Sequence, residues 1–314
     1  GINNAAEKIF DLKQSAAKGK HLHEIIRNRE MHLLISKSAL FGRPYENDIV
    51  VSDDPEKIVN TNCAPLFNAD HKRIGSLIVL QDVTHVRHLE NIRKDFVANV
   101  SHEIRTPLTA IKGFVETILY DHDRAETEKF LGIISKHVNR LEAITEDLLS
   151  LATIEKKDAQ DELRFENSKI KDIIETALQV VEDMAKKKSI DFDISCSDDI
   201  FAKTDIPLLE QALVNLIDNA VKYSPEGEKI LIWADRKEKG ILIHVKDNGP
   251  GIPKKHLPRL FERFYRVDKA RSRSLGGTGL GLAIVKHIIQ AHGGHVTADS
   301  VPGKGSTFTI HLPS

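Results

Sequence analysis

The sequence predicts a multidomain α+β chain, and three observations carry that expectation. Its 314 residues exceed one ordinary domain. A long run of apolar residues at helical spacing occupies the middle of the chain. The second half instead alternates helix-like and strand-like patterns. Composition agrees, with 40% hydrophobic and 29% charged residues, which excludes a mainly disordered chain. The net charge of -1 lacks the basic excess of a nucleic-acid binder, so no nucleic-acid partner is expected. Two distant cysteines, Cys63 and Cys196, exclude a disulfide framework and a cysteine-based zinc site. No apolar run approaches the ~20 residues of a membrane helix, so no membrane contact by this stretch is expected.

The first stretch, to about residue 84, opens with the apolar-spaced segment Ile25, Ile26, Met31, Leu33 and Leu34. Strand-like runs follow at Thr61 to Phe67 and Ile74 to Gln81, with a turn at Asn68 to Lys72. The second stretch, 85 to 157, carries apolar residues at 89, 92, 96, 100, 104, 108, 111, 115 and 118. After the polar break Asp121 to Arg124, the pattern resumes from 130 to 154. Two amphipathic helices joined by a short loop make an antiparallel hairpin. A hairpin leaves an apolar stripe uncovered on each helix, so pairing with a second copy into a dimeric four-helix bundle is expected. The third stretch predicts helices at 169–187, 205–222 and 279–292. Strands are predicted at 190–194, 229–234, 241–246, 295–299 and 306–312. Helices layered on a mixed sheet follow from that order.

Within the hairpin, His102 sits roughly 200° from both Val100 and Ile104 on the helical wheel. It therefore projects off the apolar seam. A lone histidine there reads as an ordinary surface residue. Its neighbours change the reading. Glu103 is a carboxylate that can accept the Nδ1 proton and make Nε2 a better nucleophile. Pro107 removes a helical amide one turn later and predicts a bend. Thr106 stands where a zinc-protease motif needs a second histidine, so that metal reading fails.

Four segments of the third stretch belong together. Asn215, Asn219 and Lys222 fall on one helix face, next to Tyr223. Amide oxygens suit Mg²⁺, a lysine meets a phosphate, and a tyrosine ring packs on a base. Asp247-Asn248-Gly249-Pro250-Gly251 follows a strand, and a carboxylate there can accept from an exocyclic amine such as that of adenine. From Lys254 to Arg273, eight basic residues stand against two acids, leading out of Phe261 to Arg266. A basic Ser/Gly-containing loop makes a lid over phosphates. Gly276-Gly277-Thr278-Gly279-Leu280-Gly281-Leu282 opens a helix, where free amides cradle phosphate, although the spacing matches neither dinucleotide nor P-loop patterns. Gly303 to Ser306 reads as a hairpin turn.

Ser101 to Leu108 resembles the phosphoacceptor box of bacterial sensor histidine kinases. Asn215–Tyr223, Asp247–Gly251, Phe261–Arg266 and Gly277–Leu282 resemble their N, G1, F and G2 boxes, in that order. The likeness covers about residues 85 to 314 and is nearest to the phosphate-sensing and cell-wall-sensing PhoR/WalK type. It implies a GHKL (Bergerat) α/β sandwich that binds ATP and Mg²⁺. By the resemblance, His102 takes the γ-phosphate with Glu103 as acid/base, and Arg266 assists catalysis. Asn219 and Asn215 hold the metal, while Lys222, Tyr223 and Arg266 contact nucleotide. Asp247 reads adenine, and Gly249, Gly251, Gly277, Thr278, Gly279, Leu280 and Gly281 frame the nucleotide. Thr106 is in the position linked in the family to dephosphorylating the partner response regulator.

The start of the chain, Gly1 to Phe10, and Asp82-Val83-Thr84 resemble the early and exit segments of a PAS sensor fold. Its usual first strand has no counterpart, which implies an N-terminally truncated PAS domain. The expected division is therefore PAS 1–84, dimerisation and phosphotransfer hairpin 85–157, and ATP-binding domain 158–314. The resemblance further implies a homodimer and the cytoplasmic portion of a membrane protein. Two other readings stay open: a GHKL-type ATPase clamp, which leaves His102 unexplained, and a non-catalytic scaffold, which would need a damaged motif.

Overall fold

The computed structural model describes residues 1–53, 55–120, 123–160, 162–238, 240–268 and 276–313. They form two compact units, Gly1–Ala98 and Asn99–Ser314.

The first unit opens with three short helices, α1 (Asn4–Phe10), α2 (Gln14–Ala17) and α3 (Leu22–Ile25). Helix α4 (Arg29–Phe41) is started by Asn28, whose side chain accepts from the Met31 amide. An antiparallel sheet follows in the order β1 (Tyr45–Asp53), β2 (Glu56–Phe67), β3 (Arg73–Asp82). The predicted Asn68–Lys72 turn closes β2 on β3, with Asn68 Oδ1 accepting from Asp70 and Lys72 amides. Strand β1 was not foreseen: Glu46, Asn47 and Asp48 break its apolar alternation, and only Ile49 reaches full burial. Ile26, Met31, Leu34, Ile49 and Cys63 form the core. Buried Ser38 Oγ bridges the carbonyls of Arg43 and Cys63 at 3.0 Å each.

At the end of β3, Asp82 Oδ1 accepts from the Thr84 hydroxyl (2.6 Å) and amide (3.0 Å). These bonds hold the Asp82 carboxyl below its ordinary value. The arrangement starts helix α5 (Thr84–Leu119), which runs through Pro107 without interruption.

In the second unit, the later part of α5 faces α6 (Arg124–Ala159), which Asp123 caps by accepting from the Glu126 amide. Phe114 and Phe130 meet across the pair at 5.5 Å. Asp121 and His122, in the predicted break, lie outside the described residues. The expected uncovered stripe is present: Leu108, Val115 and Val138 are 55%, 42% and 47% exposed. The C-terminal part of α6 differs, because Leu151 and Ile154 enter the core of the following sheet layer.

That layer is a five-stranded mixed sheet, β5 (Asp191–Cys196), β7 (Lys229–Lys237), β8 (Gly240–Asp247), β10 (Ser306–Leu312), β9 (His295–Ser300). Among the described residues only β5 and β7 pair in parallel. A two-stranded sheet, β4 (Glu166–Lys169) with β6 (Phe201–Thr204), was not predicted. Four residues carry too little periodicity to be read.

Helices α7 (Ile170–Lys187), α8 (Ile206–Tyr223) and α9 (Gly281–Ala291) cover one face of the sheet. Their inward residues repeat at three and four, as in Leu209, Ala212, Leu213, Leu216, Ile217 and Ala220. Asp205 caps α8 by accepting from the Leu208 amide. The Asp205 amide donates to Nε2 of buried His292, tying the start of α8 to the end of α9. The predicted helices and strands of this half are all present, within a few residues at their ends.

Candidate functional site

A cavity of about 420 Å³ opens between α8, the N-terminus of α9, the end of β8 and α6. Asn215, Asn219, Lys222 and Tyr223 line it from α8. The core face of that helix is apolar, so the polar face is left to the cavity. Lys222 Nζ pairs with Asp218 at 2.6 Å, one turn earlier. The carboxylate holds the ammonium at the cavity wall.

Asp247 closes β8 and is 5% exposed. Its Oδ1 accepts from the Gly249 amide (2.8 Å) and the Ser306 amide (3.1 Å). Burial pushes its carboxyl up, and the bonds from Gly249 and Ser306 pull it partly back. The β9–β10 hairpin braces this corner. A Cβ on Gly305 (φ +83°) would sit 2.0 Å from the Asp247 carbonyl oxygen. One on Gly251 (φ +68°) would sit 2.1 Å from that of Val301. Both positions therefore admit only glycine. Gly249 does not line the cavity. It lies behind Asp247, where a Cβ would be 2.8 Å from Asp247 Oδ1 and 3.1 Å from the Tyr223 carbonyl oxygen.

The glycine-rich turn supplies Gly277, Thr278, Gly279 and Gly281 to the lining. Leu280 does not face the cavity; it is fully buried in the core at the start of α9. An apolar side chain there anchors the turn from below. Thr278 Oγ1 donates to Asp147 Oδ2 at 2.6 Å. Asp147 comes from α6, lines the cavity beside Ala143, and has its carboxyl raised by burial. Sequence reasoning missed it, because nothing in the helical pattern of α6 marks a contact with a turn 131 residues away. Tyr265 and Ser306 also line the cavity unforeseen. Lys269, Arg271 and Arg273 of the predicted basic lid lie outside the described residues.

His102 is exposed on α5, as its place off the seam predicts. Thr106 Oγ1 donates to the His102 carbonyl at 3.0 Å, so both share one helical turn. Among the described residues no hydrogen bond joins Glu103 to His102. Glu103 Oε2 instead accepts from Arg140 at 2.5 Å and Arg266 at 3.2 Å. Adjacent helical residues point about 100° apart, so Glu103 turns toward α6 while His102 turns to solvent. Arg266 is 4% exposed and lines the cavity. Its Nη2 also donates to the Thr278 carbonyl, so one guanidinium joins the helix of His102 to the glycine-rich turn. Arg263 meets Glu155 of α6, and Gln211 donates to Ser150 at 2.7 Å.

Two family models match the chain. "His Kinase A (phospho-acceptor) domain" covers residues 92–157. "Histidine kinase-, DNA gyrase B-, and HSP90-like ATPase" covers 204–314. The phosphate regulon sensor protein PhoR of Pseudomonas aeruginosa is 37% identical over 315 residues, 99% of this chain and 68% of that protein. The sensor histidine kinase WalK of Bacillus subtilis is 40% identical over 269 residues, 83% of this chain. The chain spans only 43% of the length of that relative. Among solved structures, Acinetobacter baumannii histidine kinase AdeS superposes with a TM-score of 0.53 at 29% identity, over 68% of this chain and 97% of its own. Histidine kinase ThkA, solved in complex with response regulator TrrA, shares the fold over 100% of this chain and 91% of its own, at a TM-score of 0.56 and 24% identity. By these matches and its motifs, the chain belongs to the sensor histidine kinases of two-component systems.

Proposed function

We propose that this chain autophosphorylates His102 from Mg-ATP and passes the phosphoryl group to an aspartate of a response regulator. One observation carries the reading: Arg266 touches both the neighbour of exposed His102 and the glycine-rich turn of the cavity. In the proposed reaction, His102 Nε2 attacks the γ-phosphorus and the bond to the β-phosphate oxygen breaks. Lys222 and Arg266 offset phosphate charge. Adenine donates its exocyclic amine to Asp247, and Tyr223 packs beside the nucleotide. Gly277, Thr278, Gly279 and Gly281 let the backbone approach phosphate.

Oxygen donors suit Mg²⁺, and Asn215 and Asn219 supply them at the cavity wall, beside the carboxylates of Asp218 and Asp147. The ion would neutralise phosphate charge when bound. Glu103 Oε2 is engaged by Arg140 and Arg266, and acting on the His102 imidazole would require the carboxylate to turn from α6 toward His102.

Thr106, one turn from His102, is the proposed group for orienting water in a second activity, hydrolysis of the regulator's phospho-aspartate. The exposed stripe through Leu108, Val115 and Val138 supports a homodimer through 85–157. Residues 1–84 are proposed as the PAS sensor part and 158–314 as the nucleotide-binding domain. The proposed use of ATP and a response regulator supports a cytoplasmic setting for the reaction. No helix among the described residues is long and apolar enough to cross a membrane.

The test is incubation with γ-labelled ATP and Mg²⁺, followed by acid and alkali treatment. Label that survives alkali and is lost in acid is expected. Steady ATP turnover with no phosphoprotein would refute the autokinase in favour of an ATPase clamp.

A further inference from the structure

Lys188 follows α7 and lies outside the phosphoacceptor and nucleotide-site motifs. Its ammonium donates to three carbonyl oxygens: Val221 and Lys222 at 2.8 Å each, and Ser224 at 3.1 Å. An ammonium has three donors, and all three are used here on backbone. No carboxylate pairs with Lys188 among the described residues. The carbonyls belong to the last turn and cap of α8, where helical acceptors have no amide partners and the helix dipole favours a cation.

This end of α8 is part of the nucleotide site. Asn219, Lys222 and Tyr223 line the cavity from the same turns. The Tyr223 carbonyl, between the oxygens that Lys188 holds, lies under Gly249 behind Asp247. The Lys188 carbonyl also accepts from the Gly227 amide at 2.9 Å, so its backbone and side chain grip the segment leaving α8. Lys188 itself does not line the cavity.

We infer that Lys188 is a positioning residue of the nucleotide site, a tethered cation seated in a three-carbonyl cradle that fixes Lys222, Tyr223 and the backing of Asp247. The inference rests on the nucleotide-binding reading. A compact ammonium suits three converging oxygens, whereas the planar fork of arginine does not. Removing the tether leaves a cradle that a small free cation can fill.

The experiment uses the full 314-residue chain. Dissociation constants for Mg-ADP are measured by calorimetry, well below the unfolding temperature of each variant. Lys188→Met fills the space without charge. It removes all three bonds to the end of α8 and should weaken nucleotide by at least about tenfold. Lys188→Ala opens the cradle. Its affinity should recover at least threefold in methylammonium or potassium chloride over tetramethylammonium chloride at equal ionic strength, with no such dependence in the parent. If these variants unfold, Lys188→Gln keeps donors without charge and should show the same weakening.

A parent chain that fails to bind nucleotide would sink the functional reading itself. A parent that binds, with Lys188→Met or Lys188→Gln binding equally well and only melting earlier, overturns the positioning role. Loss in Lys188→Ala that no small cation restores overturns the cradle.

Discussion

Asp247→Asn should separate stability from nucleotide binding. Both backbone amides at Asp247 are donated to Oδ1, from Gly249 at 2.8 Å and Ser306 at 3.1 Å. An asparagine keeps that oxygen and both bonds, and places an NH₂ where Oδ2 stood. Burial raises the Asp247 carboxyl, so the fold disfavours its charge, and a neutral amide escapes that penalty. The nucleotide-free protein should therefore melt at the same temperature or higher. Nucleotide binding should suffer, because the adenine amine would face a second donor. One lost hydrogen bond to a charged group is worth about 1.5–3 kcal/mol, or roughly 10- to 150-fold in Kd. Calorimetric titration with Mg-ADP and thermal unfolding of the same preparation give both numbers. Binding within about twofold of the parent would refute the assignment of Asp247 to the base, since twofold is far below one hydrogen bond.

Three further outcomes follow from the same structure. Asp147 has a carboxyl raised by burial, so its contribution to stability is full below the ordinary carboxylate value near 4 and is lost as pH rises through the raised folded value. The melting advantage of Asp147→Asn over the parent should grow between about pH 4 and pH 7; a difference independent of pH would contradict it. Gly305→Ala would put a Cβ 2.0 Å from the Asp247 carbonyl oxygen, so it should lower both stability and nucleotide affinity, and unchanged affinity in the folded variant would detach the hairpin from the site. Leu216 is fully buried in the α8 face, and Leu216→Ala should cost about 2–5 kcal/mol in denaturant unfolding; a cost below about 1 kcal/mol would mean that the sheet layer collapses around the gap.

Much of the second unit was legible because its signals are local. The steps of three and four in α5 to α9 and the alternation in β7, β8 and β10 each follow from one face being buried. The candidate site was legible for the same reason: Asn215, Asn219, Lys222 and Tyr223 occupy a polar face opposite an apolar one. Contacts made only by the fold were not legible. Asp147 reaches Thr278 because α6 packs on the sheet layer, and Ser306 reaches Asp247 because β10 pairs with β8. The partners of Glu103 were not legible either. Adjacency in sequence suggested contact with His102, while the helix turned the two side chains apart and gave the carboxylate to Arg140 and Arg266. Strand β1 escaped because Glu46, Asn47 and Asp48 place polar residues on both faces of an edge strand.

In the proposed reaction one exposed imidazole carries the phosphate. His102→Gln removes the nucleophile and leaves the cavity untouched, since His102 is not among its lining residues. The most direct measurement is transfer of label from γ-labelled ATP to parent and variant, with Mg-ADP affinity measured alongside. Alkali-stable, acid-labile label is expected in the parent, none in His102→Gln, and equal nucleotide affinity in both. Acid-labile label persisting in His102→Gln would contradict it.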